Sequence, residues 1–171
     1  MRRRTTLALW TIFDERQRPL LSRPATDVDL AWLTQADAQR LIDDMLTTMR
    51  QAEGVGLAAP QVGQGLRLAV ISPDVDQTLP APLVLVNPVV QAIGLDQEIG
   101  EEGCLSIPGV YGLIQRARQV QLTATDRTGQ PYRLTATGLL ARVIQHEVDH
   151  VRGVLMIDRA ERITHGQNRL S

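Results

Sequence analysis

Three residues toward the carboxyl end, His146, Glu147 and His150, spell H-E-x-x-H. On a helix, His146 and His150 lie one turn apart on one face. Two imidazoles so spaced can grip one metal ion without bending the backbone. Glu147, adjacent to the first, can lean over an open coordination position and take a proton from water there. The bland alternative is a buried helix with two satisfied histidines. The chain has 3 histidines in all, so two at this spacing weigh against chance, and an inward pair is costly to bury without partners.

A third protein ligand is then required. Downstream, His150-x-x-Gly153 continues like a metzincin protease, but Met156 stands where that pattern needs a histidine. Glu161 and His165 are the remaining downstream candidates, in a polar stretch. Upstream, the single cysteine lies in "EEGCLSIPG", residues 101–109. Cys104 has three readings. As a nucleophile it would want a base and a lowered pKa, and Glu101 and Glu102 disfavour a thiolate. As a small buried hydrophobe it would be ordinary. As a ligand, its thiolate would be stabilised by the metal's own charge, and a Cys-His-His set leaves one position open for water. Such a set suits Zn2+ and Fe2+ alike.

Elements able to position these groups are visible around them. Leu139, Leu140, Val143, Ile144 and Val151 mark a helix through the H-E-x-x-H run, with Thr137 as candidate N-cap and Gly153 as stop. A first helix is expected between Thr34 and Gly54, from Ala38, Leu41, Ile42, Met45, Leu46 and Met49, with Thr34 and Asp37 resembling a cap. The run Leu7 to Phe13 reads as a first strand; no small-residue cleavage site follows it, which argues against a signal peptide. "RPLLSRPATDVD" reads as an extended loop. "LRLAVIS" and "APLVLVNPVV" hold strands, the second ending before Asn87-Pro88. The stretch from Val110 to Thr137 alternates with period 2 around a turn at Thr128-Gly129.

Helix, several strands, then helix predicts an α+β fold: one compact domain over 1–171, with antiparallel or mixed sheets packed around a C-terminal metal-binding helix and an N-terminal helix. A net charge of −1 gives no electrostatic reason for nucleic-acid or membrane binding. Aromatics, at 3%, are too few for base-stacking platforms. No window reaches the length of a membrane span, and one cysteine suits a reducing compartment. A cytoplasmic protein is expected.

Three segments now read together: "GVGLAAPQ" (54–61), "EGCLS" (102–106) and "QHEVDH" (145–150). In order and spacing they resemble the peptide deformylase family, whose motifs run G-φ-G-φ-A-A-x-Q, E-G-C-φ-S and H-E-φ-D-H. The resemblance covers roughly residues 34–158. It implies a metal-dependent hydrolase that removes the formyl group from N-formylmethionyl nascent chains and releases formate, with transient ribosome contact. Carried onto this sequence, the metal ligands are Cys104, His146 and His150. The implied cofactor is one divalent ion, usually Fe2+, with Zn2+, Ni2+ or Co2+ able to replace it. Glu147 is the implied general base for metal-bound water, then the acid for the leaving amine. Gln61 and the Leu105 N–H are the implied oxyanion donors.

Val55 and Gly56 would pair with an extended peptide, and Leu139 and Val143 would line a methionine pocket, core packing being their alternative. Arg142 stands at a helix position that is often aliphatic in the family and borders this expected pocket. Tyr111 is a candidate rim residue. Asp149 is either a second partner behind the site or a solvated charge, and Glu102 awaits a basic partner, Arg116 or Arg118. Two other functions compete with the deformylase reading. A zinc endopeptidase would recruit Glu161 or His165, and a non-catalytic metal-binding module would need neither Glu147 nor Gln61.

Overall fold

The computed structural model describes residues 5–170; the ends of the expected single domain, 1–4 and 171, lie outside them. Three helices open the chain: α1 (Arg18–Leu21), α2 (Leu30–Leu33) and α3 (Ala36–Gln51). Eight strands follow in two sheets: β1 (Gly56–Ala58), β2 (Leu68–Ile71), β3 (Leu83–Ala92), β4 (Gln97–Gly103), β5 (Tyr111–Ala117), β6 (Gln119–Thr125), β7 (Pro131–Thr137) and β8 (Arg162–His165). Helices α4 (Gly138–Val151) and α5 (Met156–Arg159) precede the last strand. The larger sheet has the order β1-β2-β3-β6-β7, the smaller β4-β5-β8, and every pairing is antiparallel. The α+β expectation holds.

Period-2 alternation in the larger sheet makes two cores. Ala69, Ile71, Leu85 and Leu122 face α4 and bury its Leu140, Ala141, Ile144 and Val148. Leu68, Val70, Val84 and Val86 face the other way, onto Ile42, Met45 and Met49 of α3. A third cluster, with Ile107, Ile114, Leu155 and Met156, joins the smaller sheet to α5. The opposite face of α4 meets the smaller sheet. Gln145 there clamps β5 by accepting from the Ala117 N–H at 3.1 Å and donating to its carbonyl at 3.0 Å.

Four local expectations need correction. Leu7–Phe13 is not a strand. It runs without ladder partners, tied by the Leu7 N–H to Thr48 Oγ1, the Trp10 N–H to Gln61 O and the Ile12 N–H to Ser106 O. The extended loop after it contains the short helix α1, with Pro19 in its first turn, and touches Leu66 by a single bridge at Thr26. Thr34 does not cap α3; its hydroxyl donates back to Ala31 O at the end of α2, and α3 starts at Ala36. At the far end Glu53, not Gly54, takes the left-handed turn (φ 55°), and the Gly54 N–H reaches Met49 O at 2.9 Å. Finally, β3 continues past Asn87-Pro88 to Ala92. A register shift between Val86 and Val89 absorbs the proline, and the Asn87 amide bonds both the N–H and the C=O of Val28.

Candidate active site

Helix α4 brings the H-E-x-x-H run between the two sheets, and Gly153 ends it as expected (φ 75°). The loop leaving β4 brings Cys104 alongside. Cys104 Sγ lies 3.2 Å from His150 Nε2, which lies 3.2 Å from His146 Nε2. All three ligand atoms fall within 4.8 Å of one another. A tetrahedral ion with metal–ligand bonds of about 2.0–2.3 Å separates its ligands by about 3.4 Å, so the cluster fits one ion with a vertex to spare. The donor set of one thiolate and two imidazoles fits Zn2+ or Fe2+. Burial pushes the thiol up, but His150 and His146 more than offset it and bring it down to about 5. The site is therefore arranged to hold the sulfur as a thiolate.

Glu102, at the end of β4, orients His146. Its Oε2 meets His146 Nδ1 at 2.8 Å, which leaves Nε2 for the metal. Burial opposes the charge on Glu102, yet bonds from Arg116 and His146 hold its pKa at about 2. Arg116 grips both oxygens of Glu102 at 2.9 Å and also reaches Asp149. Arg159 in turn holds Asp149, and Arg142 donates to Glu102 Oε1 at 2.8 Å. Of the two readings of Asp149, the solvated charge is wrong: it is buried within this network. The basic partner of Glu102 is Arg116, whereas Arg118 is exposed and only 4.0 Å from Glu98.

Glu147 is 3% exposed, and its Oε2 has no hydrogen-bond partner among the described residues. Burial raises its pKa to about 7, with His146 and His150 pulling the other way. The carboxylate fits because position 56 is glycine: a Cβ there would lie 2.7 Å from Glu147 Cδ. Gln61, in the 3-10 turn Ala59–Val62, is equally buried. Its Oε1 accepts from the Ala58 N–H at 2.8 Å, which aims Nε2 at Ser106 Oγ (3.2 Å) and at Cys104 Sγ (3.6 Å). The Leu105 N–H finds no acceptor among the described residues. Leu105 packs so closely on Gly54 that a Cβ at 54 would sit 2.8 Å from Leu105 Cδ1, which is why a glycine stands there.

These groups line a cleft of about 630 Å³. Val55 and Gly56 form one rim, where β1 is an edge strand with only β2 beside it. Leu139 and Tyr111, both half exposed, and Val143, buried, line the same cleft. Cys104, His146, His150, Glu147, Gln61, Leu105, Val55, Gly56, Leu139 and Val143 therefore all border one cavity or its metal cluster. Glu161 and His165 do not: His165 is exposed on β8, beside Tyr111. Sequence reasoning missed Ser106 and the backbone bonds from Trp10 and Ile12, which brace the Gln61 and Ser106 turns. No residue-type signal marks a main-chain brace.

A sequence profile of the polypeptide deformylases matches residues 13–165. The chain is 46% identical over 125 residues to peptide deformylase 2 of Gloeobacter violaceus, covering 73% of this chain and 67% of that protein. It is 50% identical over 123 residues to a peptide deformylase of Prochlorococcus marinus, covering 72% of this chain but 61% of that protein's length. In structure it is similar to a peptide deformylase of Acinetobacter baumannii with Met-Ala-Ser bound. The TM-score is 0.81 at 31% identity, covering 92% of this chain and 99% of the other.

Proposed function

The chain belongs to the polypeptide deformylase family and is an enzyme of that kind, and from that premise we propose that it hydrolyses the formyl amide of N-formylmethionyl peptides. The observation that carries this reading is the position of Glu147. A buried carboxylate with one unpartnered oxygen shares one cleft with three convergent metal ligands and with the residues of two hydrogen-bond donors, Gln61 Nε2 and the Leu105 N–H. A structural metal site needs none of those additions.

Cys104, His146 and His150 would hold one divalent ion, Fe2+ in the physiological enzyme by family membership, with Zn2+, Ni2+ or Co2+ able to replace it. When bound, the ion supplies Lewis acidity and lowers the pKa of water at its open position. Glu147 takes the proton of the attacking water on its free carboxylate oxygen and delivers it to the departing amine. Gln61 and Leu105 donate to the formyl oxygen as negative charge develops there. Gln61 suits that role because its own carbonyl is already engaged by Ala58, so only its amino group faces the reaction. The C–N bond breaks, and formate and a peptide with a free amino terminus leave.

The peptide would lie extended along the Val55–Gly56 edge, with its first side chain against Leu139 and Val143. The bound Met-Ala-Ser of the Acinetobacter relative supports a site for such a tripeptide. Nascent chains in the cytoplasm, met through transient ribosome contact, are the proposed source of these amino termini. No helix among the described residues is long and apolar enough to cross a membrane.

The test is formate release from formyl-Met-Ala-Ser by anaerobically purified protein, with Glu147→Ala and Cys104→Ala alongside. Wild type should release formate. Glu147→Ala should keep its metal and lose activity, and Cys104→Ala should lose both. Peptide fragments without formate would overturn the reading in favour of an endopeptidase.

A further inference from the structure

The two donors proposed for the developing oxyanion sit on separate loops. Gln61 belongs to the 3-10 turn Ala59–Val62, and Leu105 to the loop after β4. Each loop closes on itself. The Gly63 N–H donates to Pro60 O at 3.1 Å, and the Ile107 N–H to Cys104 O at 2.9 Å. Among the described residues no backbone hydrogen bond joins one loop to the other. Their direct polar contacts are those of the Gln61 side chain, to Ser106 Oγ at 3.2 Å and Cys104 Sγ at 3.6 Å. Two donors aimed at one oxygen need a firmer tie, because a misplacement of about 1 Å costs about 10²-fold in rate.

The segment ahead of α1 supplies it. The Trp10 N–H donates to Gln61 O at 2.8 Å and the Ile12 N–H to Ser106 O at 3.0 Å, one bond to each loop. Two residues of chain span at most about 7 Å, so these bonds limit how far apart the loops can stand. Thr11, between them, is held by its own N–H, which donates to Gln17 Oε1 at 2.8 Å. The side chains repeat the pattern. The Trp10 ring lies against Gly63, which ends the Gln61 turn in a left-handed conformation (φ 79°): a Cβ there would lie 2.5 Å from Trp10 Cζ2. Ile12 is buried in one cluster with Ile107, and Cys104 packs against the same cluster.

Resting on the deformylase reading, we propose that Trp10, Thr11 and Ile12 form a positioning strap that sets the spacing of the Gln61 and Leu105 donors. The division of labour follows from the bonds. The Ala58 N–H fixes the rotation of the Gln61 amide within its own turn. The Trp10 bond to Gln61 O then fixes where that whole turn stands, and the Ile12 bond to Ser106 O does the same for the peptide next to Leu105. With the strap slack, both donors are still present but no longer converge on one oxygen. Turnover then falls while the metal ligands, on Cys104 and α4, keep their places.

The experiment deletes single N–H groups by placing an ester at residue 10 or 12, through the α-hydroxy analogue of tryptophan or isoleucine. Each ester is made in wild type and in Gln61→Ala. Formate release from formyl-Met-Ala-Ser gives kcat and KM, and metal content is measured on each protein. In the wild-type background the ester at 10 should lower kcat about tenfold or more, with KM and metal content held within about twofold. In Gln61→Ala the same ester should cost less than about twofold, because the accepting carbonyl remains but the donor it positions is gone. The ester at 12 should lower kcat in both backgrounds, because the Leu105 N–H is still there. If the ester at 10 prevents folding, Trp10→Ala, which uncovers Gly63, enters the same cycle with the same expectation. An equal loss from residue 10 in both backgrounds, a loss of metal in step with activity, or an unchanged kcat overturns the proposal. Failure of wild type to release formate from formyl-Met-Ala-Ser would instead overturn the deformylase reading.

Discussion

Behind His146 every charge is answered; in front of it, polar atoms wait. The rear region is a buried lattice in which Glu102 takes bonds from Arg116, Arg142 and His146, and Asp149 takes them from Arg116 and Arg159. The front region holds Glu147 Oε2 and the Leu105 N–H without protein partners among the described residues. Buried groups left unpaired cost stability, so a fold keeps them where a ligand supplies the missing bonds. The difference separates residues that place the site from residues that act in it. Substitutions in front should damage turnover and spare the fold, and substitutions behind should damage both.

Glu147→Gln gives the largest expected effect. Removing the proton carrier should lower kcat by about 10²–10⁴, with metal content unchanged and Tm equal or higher, because an isolated buried carboxylate is relieved. A marked loss of Tm would place Glu147 in the structural region and break the contrast.

Gln61→Ala comes next. Loss of one donor to the developing oxyanion should cost about 10²–10³ in kcat. Gln61 also bonds Ala58 and Ser106, so a small fall in Tm is expected too. A change confined to KM would show that Gln61 binds the peptide without aiding the chemistry.

Behind the ligands, Glu102→Ala should weaken metal retention by about 10–100-fold, since His146 loses the partner that fixes its ring. It should also destabilise the protein by about 3–5 kcal/mol by leaving Arg116 buried with half its charge unanswered. Metal release to a chelator and urea unfolding measure the two effects separately. Full metal retention would show that α4 alone fixes His146.

The smallest effect is a pH dependence that sharpens the same division. The pKa of Glu102 is held at about 2 in the folded protein, below the ordinary carboxylate value of 4.5. A depressed carboxylate stabilises the fold fully above its unfolded pKa, and the contribution is lost as pH falls through its folded pKa. In metal-stripped protein, the fall in Tm between pH 5 and pH 2 should therefore be steeper for wild type than for Glu102→Gln. Parallel acid profiles would mean that Glu102 adds no pH-linked stability.

Much of the site was legible in the sequence because metal chemistry imposes short spacings. His146 and His150 are four residues apart on a helix, and periodicity alone puts them on one face. Gln61 and Leu105 were legible only through the resemblance of their motifs to a known family, since a lone glutamine in a loop carries no signal of its own. The fold was legible where one period dominated, as in α3, α4 and the β6–β7 hairpin. It was misread where long-range bonds override local pattern. Leu7–Phe13 has the apolar content of a strand, yet its backbone bonds go to Thr48, Gln61 and Ser106. Thr34 has the chemistry of a cap, but the preceding short helix claims it first.

By itself the sequence determined which residues could bind a metal and carry a proton, because those roles depend on side-chain type and on spacing within single elements. Tertiary structure decided which charge answers which. Arg116 and Arg118 are two residues apart and chemically identical, and only the packing of β4 and β5 against α4 buries the first onto Glu102 and leaves the second in water. The same packing made Asp149 a buried anchor and turned the gap at Gly100 into the seat of the Arg142 guanidinium. Pairings between elements depend on distances that no local pattern encodes, because they are set only when the two sheets close on α4.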